Sequence, residues 1–295
     1  MSVNLTSVLK ANGLSMKQAA EICGVDKSLI VKVVGQNYHN WQQKEKELIS
    51  AIQDAGYHKT GDDLLTINTD VLVKTSNVSR FFDLADDLAN PDSSLSSSLG
   101  MAIGTAERGK THAAKHYCRR NENAVYTLYV DGFSRVQLLR NICAELVGSR
   151  PYSFGSCVSI IQEVSRVNRR LIIIDEADKC PLSILEMLRG LNESCEIPIL
   201  LVGEEALKGK VDAVPRLRSR IRKPICVFES LTISDVSVYY SSAAGLSLEQ
   251  PIIENLYRRA RGGFRTLTND SLALAKIARS SGLNTITPAM LDQLA

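Results

Sequence analysis

Residues 104–111 read Gly-Thr-Ala-Glu-Arg-Gly-Lys-Thr, which fits the pattern G-x-x-x-x-G-K-[ST]. The apolar run Leu99–Ile103 leads into them and a helical pattern near Lys110–Arg119 follows, so the eight residues join a strand to the start of a helix. Few folds place a glycine-bounded loop there. The backbone N–H groups of such a loop and the positive end of the following helix form a cradle for anions, and Gly109 lets the backbone approach closely. Gly104, Thr105, Ala106, Glu107, Arg108, Gly109, Lys110, Thr111 and His112 are therefore the expected phosphate-binding set. Lys110 would reach the β- and γ-phosphates, and the Thr111 hydroxyl would ligate Mg²⁺.

A second element points the same way. Leu171-Ile172-Ile173-Ile174-Asp175-Glu176 is an apolar strand ending in two carboxylates, and in a parallel sheet such ends lie on the phosphate side. Asp175 is expected to hold Mg²⁺, and Glu176 to polarise the attacking water as a base. No N-K-x-D guanine-reading motif occurs, which favours ATP over GTP. Further apolar runs at Val125–Val130, Ile197–Val202 and Ile225–Phe228 alternate with helical patterns near Val136–Val147, Cys157–Val167 and Leu182–Leu191. Strands alternating with helices predict βαβ units and a parallel sheet. Beyond Leu231 only helical segments remain, around Ser234–Ala243, Pro251–Arg261, Phe264–Ser280 and Pro288–Leu294.

The first sixty residues are of another kind. Ser15 caps a predicted helix through Ile22, Cys23-Gly24-Val25 makes a tight turn, and Asp26 caps a second helix, Lys27 to Val34. Two short helices joined by a Gly-containing turn are the helix-turn-helix pattern, whose second helix would turn Lys27, Ser28 and Lys32 to DNA. A small helical adaptor without nucleic acid is the alternative. Seven Lys against five acidic residues in this segment do not decide between them. Trp41 and Tyr38 are expected to seal the small amino-terminal core. A polar linker follows, then an amphipathic helix from Val78 to Leu88, stopped at Asn90-Pro91-Asp92-Ser93-Ser94. The predicted division is 1–60 for the helical domain, 61–77 for the linker, 78–230 for the α/β core and 231–295 for a helical lid.

Composition excludes some classes of function. With 35 Lys+Arg against 32 Asp+Glu, the formal charge of +3 argues against a strongly basic nucleic-acid coat protein. No apolar run approaches the roughly 18 residues needed to cross a bilayer, and the amino terminus lacks the pattern of a secretory signal. Seven cysteines without a C-x-x-C pair fit reduced, mostly buried thiols. A cytoplasmic protein is therefore expected. His112 and His116 stand at i, i+4, but H-A-A-K-H lacks a Glu between them, and a surface helix is the expected reading rather than a metal site.

Two further stretches carry arginines. Pro215–Lys223 holds five basic residues in nine, and Gly262-Gly263-Phe264-Arg265 opens a helix in the lid. The order of Gly104–Thr111, Leu171–Asp178, Leu200–Gly203, Arg216–Ile221 and Gly262–Arg265 resembles that of AAA+ ATPases. More narrowly, with the helix-turn-helix amino terminus, D-E-A-D and R-L-x-S-R-I, it resembles the target-selection branch, the B proteins of Mu-like transposing phages, and more distantly the transposon regulator TnsC. The resemblance implies an α/β fold, an AAA+ P-loop core with a parallel five-stranded sheet and a carboxy-terminal helical lid. It also implies an ATPase that assembles as a filament or ring on duplex target DNA, delivers that DNA to a transposase, stimulates strand transfer and disassembles on hydrolysis. By position, Lys110, Thr111, Asp175 and Glu176 take the nucleotide, metal and catalytic roles. Arg265 becomes the lid sensor, Arg220 a finger acting on a neighbouring subunit with Arg216 second, and Arg135 and Arg150 line the DNA side. Two residues depart from the pattern: Glu107 where many relatives have glycine, and Glu204 where a small polar residue is usual. A helicase loader or replication factor, and a nucleotide-switched transcription regulator, are the alternative functions.

Overall fold

The computed structural model describes residues 4–57, 65–90 and 98–294. Residues 61–64 of the expected linker and Pro91–Ser94 of the expected helix stop lie outside them. The chain forms two compact units: Met1–Val71 with Tyr239–Arg259 and Thr266–Ala295, and Leu72–Val238 with Ala260–Arg265.

The first unit opens with α1 (Leu5–Ala11), α2 (Met16–Ile22), α3 (Lys27–Val34) and α4 (Trp41–Asp54). Ser15 caps α2 reciprocally: its hydroxyl accepts from Gln18 N at 3.2 Å, and Gln18 Oε1 accepts from Ser15 N at 2.9 Å. Asp26 caps α3 by accepting from Ser28 N at 2.7 Å. Between them Gly24 takes φ +64°, a left-handed conformation that closes the turn without a Cβ penalty. Leu5, Val8, Leu9, Ala19, Ala20, Ile30, Val33, Leu48 and Ile52 form the buried core. Trp41 and Tyr38 do not belong to it, contrary to the sequence expectation: Trp41 opens α4 half-buried and Tyr38 is 37% exposed. The core is sealed instead by aliphatic residues of α1 and α4, with Glu45 of α4 accepting from Leu5 N at 2.8 Å.

The second unit is the α/β core. Its helices and strands are α5 (Ser76–Ala89), β1 (Leu99–Ile103), α6 (Lys110–Arg120), β2 (Ala124–Leu128), α7 (Arg135–Val147), α8 (Phe154–Val167), β3 (Leu171–Asp175), α9 (Leu182–Cys195), β4 (Ile199–Gly203), α10 (Glu205–Asp212), α11 (Pro215–Arg218) and β5 (Cys226–Val227). Thr75 caps α5, and Leu72 is buried against it in the same cluster as Phe81 and Ala85, so the end of the expected linker is packed. The sheet is parallel throughout, in the order β2-β3-β4-β1-β5. Every residue of β1, β3 and β4 is buried, as a sheet covered on both faces requires. The pleat divides each apolar run between two cores. Met101, Ile172, Ile174, Ile199 and Leu201 pack with α7, α8 and α9, whereas Ala102, Leu171, Ile173, Leu200 and Val202 pack with α5 and α6.

The remaining helices are α12 (Ile233–Ala244), α13 (Gln250–Ala260), α14 (Phe264–Ser280) and α15 (Pro288–Leu291). Within the first unit, Tyr239 and Ser271 share a 2.8 Å hydroxyl hydrogen bond, Arg259 pairs with Asp270 at 2.8 Å, and Asn68 N donates to Ala243 O at 2.8 Å.

Candidate nucleotide site

Chain topology brings the loop 104–109 and the acidic end of β3 to the same edge of the sheet, but not to neighbouring strands. β4 lies between β1 and β3. Its last residue, Gly203, leaves room for Asp178: a Cβ there would stand 2.6 Å from Asp178 Oδ1 and 2.8 Å from Asp178 N. The Asp178 carboxylate accepts from Glu204 N at 3.0 Å, tying the end of β4 to the turn Ala177–Lys179 that follows β3. Lys210 of α10 holds that turn from the other side, donating to the carbonyls of Asp178 and Cys180 at 2.5 and 2.9 Å.

The loop itself has two positions that need glycine. A Cβ on Gly104 would meet Phe228 O at 2.6 Å, because the end of β5 runs against it, and Gly109 stands at φ +90° before α6. Lys110 is the first residue of α6 and only 9% exposed. Its ammonium donates to the carbonyls of Gly104 and Thr105 at 2.6 and 2.8 Å. Burial pushes the Lys110 pKa down, and the carboxylates of Glu204, Asp175, Asp178 and Glu176 act against that shift. Among those four acids Glu204 acts most strongly on Lys110, so the unusual residue after β4 is part of the site's electrostatics. Thr111 is exposed at the helix start. His112 and His116 have ring centroids 4.4 Å apart, and His116 is buried rather than on a surface helix, since α6 turns that side toward the sheet with Ala113 and Tyr117.

Asp175 is 2% exposed. Oδ1 accepts from Glu176 N and Oδ2 from the Tyr126 hydroxyl, both at 2.9 Å. Tyr126, on the neighbouring strand β2, is a member of the site that the motifs did not disclose. Its phenol is held well above the ordinary range by burial first and then by the charge and hydrogen bond of Asp175, so it is a donor at any physiological pH. Glu176 adopts φ +59° and pairs with Lys179 at 2.8 Å. These donors suit Mg²⁺ with a nucleotide: a buried carboxylate fixed by two protein donors, the Thr111 hydroxyl at a helix start, and a lysine between them and the loop.

Arg265 lies against the loop 104–109 through Glu107. Its Nη1 donates to Glu107 Oε1 at 3.0 Å, while Phe264 N donates to Glu107 O at 2.8 Å. Glu107 stands at φ +66°, the conformation that a glycine at this position would reach without strain.

The arginines after β4 turn elsewhere within the chain. Arg216 Nε lies 3.0 Å from Glu186 Oε1 and Arg220 Nε lies 2.8 Å from Glu193 Oε1. Arg189 bridges the two glutamates at 3.1 and 2.6 Å, so Arg216, Glu186, Arg189, Glu193 and Arg220 form an alternating row of five charges, three of them on α9. For Glu186, burial opposes ionisation but the hydrogen bonds from Arg189 and Arg216 outweigh it, and its pKa is lowered. The Glu186, Arg189, Glu193 spacing of i, i+3, i+7 places the three on one face of α9.

Of the expected DNA contacts, Lys27, Ser28 and Lys32 are all exposed on α3, although Ser28 also completes the Asp26 cap. In the α/β unit Arg135 begins α7 and lines a groove of about 420 Å³ with Phe154, Val158, Met187 and Leu191. Arg150 is exposed in the α7–α8 connection. Two residues on, Tyr152 is 92% exposed, with the Arg140 guanidinium 5.8 Å from its ring centroid.

Residues 94–211 match the AAA domain family. Over 138 residues the chain is 31% identical to the ATP-dependent target DNA activator B of Escherichia phage Mu, covering 44% of each protein. It is 26% identical over 181 residues to the Mu-like prophage FluMu DNA transposition protein B of Haemophilus influenzae, covering 58% of this chain and 62% of that one. The match thus spans less than half of the phage protein and under two thirds of the prophage one. Among solved structures, the Cdc6p protein of Pyrobaculum aerophilum superposes with a TM-score of 0.58 at 16% identity, covering 77% of this chain and 70% of that one. The fold is that of an AAA+ P-loop NTPase.

Proposed function

We propose that this chain is an ATPase that binds duplex DNA and serves as a target DNA activator in transposition. The observation that carries the reading is that loop 104–111 and the buried Asp175 with the adjoining Glu176 lie at one sheet edge, where both carboxylates act on Lys110, in a chain similar to two transposition proteins. In it, the loop N–H groups and Lys110 bind the ATP phosphates, and Lys110 exchanges its two loop carbonyls for phosphate oxygens. Thr111 and Asp175 would hold Mg²⁺, which supplies charge neutralisation between the phosphates. Tyr126 keeps the Asp175 carboxylate oriented. Glu176 leaves Lys179 to accept a proton from the attacking water. Arg220, or Arg216, leaves its α9 glutamate and reaches the γ-phosphate of a neighbouring subunit, so hydrolysis waits on assembly.

Assembly is a filament or ring on DNA, contacted through Lys27, Ser28 and Lys32 of a helix-turn-helix domain and through Arg135, Arg150 and Tyr152 of the core. Delivery of the DNA to a transposase, stimulation of strand transfer and disassembly on hydrolysis complete the proposal, in the cytoplasm of a bacterial host. No described helix is long and apolar enough to cross a membrane. Negative-stain imaging with duplex DNA, Mg²⁺ and a slowly hydrolysed ATP analogue tests it: extended oligomers on DNA are expected, and isolated subunits would overturn it. The same nucleotide site would also serve a second reading, a replication factor or helicase loader. Competition between duplex and single-stranded probes separates the two, duplex preference supporting the transposition reading.

A further inference from the structure

Glu107 and Arg265 form the one ion pair among the described residues that joins the phosphate loop to the segment 260–265 of the same compact unit. The two pieces interlock closely. Besides the 3.0 Å ion pair and the 2.8 Å bond from Phe264 N to Glu107 O, a Cβ at Gly263 would stand 2.8 Å from Glu107 Oε2, and one at Gly262 would stand 2.2 Å from Arg108 Nη1. Glu107 makes this contact from the left-handed φ of +66°, a conformation unfavourable for a non-glycine residue. The pair is also within reach of a ligand, the Arg265 side chain being 72% and that of Glu107 30% exposed.

Resting on the reading of this loop as an ATP site, we propose that Glu107 is a positioning and specificity-determining residue. It parks Arg265 beside the loop and competes with the terminal phosphate of ATP for the guanidinium. A guanidinium binds carboxylate and phosphate in the same planar, two-pronged manner, so the two anions are true competitors. A γ-phosphate, carrying more charge, draws Arg265 from Glu107. ADP lacks that group and leaves the pair closed. Glu107 therefore lowers affinity for ATP more than for ADP, and sets how sharply Arg265 distinguishes them.

The test measures affinities of the full chain for mant-ADP and for a slowly hydrolysed mant-ATP analogue, both with Mg²⁺. Glu107→Gln is expected to raise the ATP-to-ADP preference by about threefold, the scale of one exposed ion pair. Glu107→Gly, which relaxes the backbone as well, is expected to give the same ratio. In an Arg265→Ala background neither substitution shifts the ratio. An equal gain for both nucleotides, meaning simple charge repulsion, or a ratio change that persists without Arg265, overturns the proposal and leaves the ATP site standing. Failure of the unsubstituted chain to bind either nucleotide overturns both.

Discussion

Gly203→Ala probes the joint between β4 and the acidic turn. The added methyl would lie 2.6 Å from Asp178 Oδ1, 2.8 Å from Asp178 N and 3.2 Å from Asp178 Cβ. Oδ1 could yield by rotating the side chain, but Cβ and the backbone nitrogen are fixed to the backbone and cannot. The turn Ala177–Lys179 must move, against the grip of Lys210 on the Asp178 and Cys180 carbonyls. Overpacking of this kind costs about 1–3 kcal/mol. At roughly 2–4 °C per kcal/mol for a unit of this size, Tm falls by about 2–12 °C. The catalytic effect is larger than the loss of stability. Asp175 and Glu176 lie immediately before the displaced turn, and a shift of about 1 Å in a reacting constellation costs on the order of 100-fold in rate. Loop 104–109 joins β1 to α6, whose first residue is Lys110, so nucleotide affinity is expected to stay close to that of the unsubstituted protein. Differential scanning fluorimetry, nucleotide titration and steady-state phosphate release read the three quantities. An unchanged Tm together with unchanged turnover would refute the account of how β4 braces the acidic turn.

Three other outcomes follow from the same geometry. Tyr126→Phe removes one of the two donors that fix Asp175; stability to urea should fall by about 1–2 kcal/mol and turnover by roughly tenfold, and no change in either would remove Tyr126 from the site. Because burial holds Lys110 below the ordinary 10.5, the ammonium that phosphates require is lost on the alkaline side earlier than for an exposed lysine, so ATP affinity should decline as pH rises toward 10; affinity that stays flat across that range contradicts the assignment. On duplex DNA, Arg150→Ala should weaken binding evenly across sequences and reduce the slope of log affinity against log salt by about one, whereas an unaltered slope excludes a phosphate contact there.

Much of the core was readable because its signals are local. Leu99–Ile103 and Leu171–Ile174 are unbroken apolar runs of strand length, and the structure extends the latter only to Asp175. Ser15, Asp26 and Gly24 each act through residues within a few positions, and they mark α2 and α3 as expected. α4 was not anticipated, because only Leu48 and Ile52 of its fourteen residues are buried and its charged face hides the period. Strand order is a long-range property, and with β4 inserted between β1 and β3 the acid that most affects Lys110 is Glu204 rather than Asp175. The partners of Asp175, Arg216 and Arg220, namely Tyr126, Glu186 and Glu193, lie from 27 to 49 positions away, beyond the reach of any local pattern. Glu107 stood out in the sequence as a departure from glycine, and its backbone angle and its contact with Arg265 give that departure a physical form.

On the proposed reading, loop 104–111 and the Asp175–Glu176 strand end form one ATP-hydrolysing centre responsive to DNA. Phosphate release with and without duplex DNA, measured side by side for the unsubstituted chain and for Glu176→Gln, tests it most directly. DNA-stimulated release is expected of the former, and near-complete loss in the variant while ATP binding and DNA-bound assemblies persist. Equal release by the two proteins would contradict it.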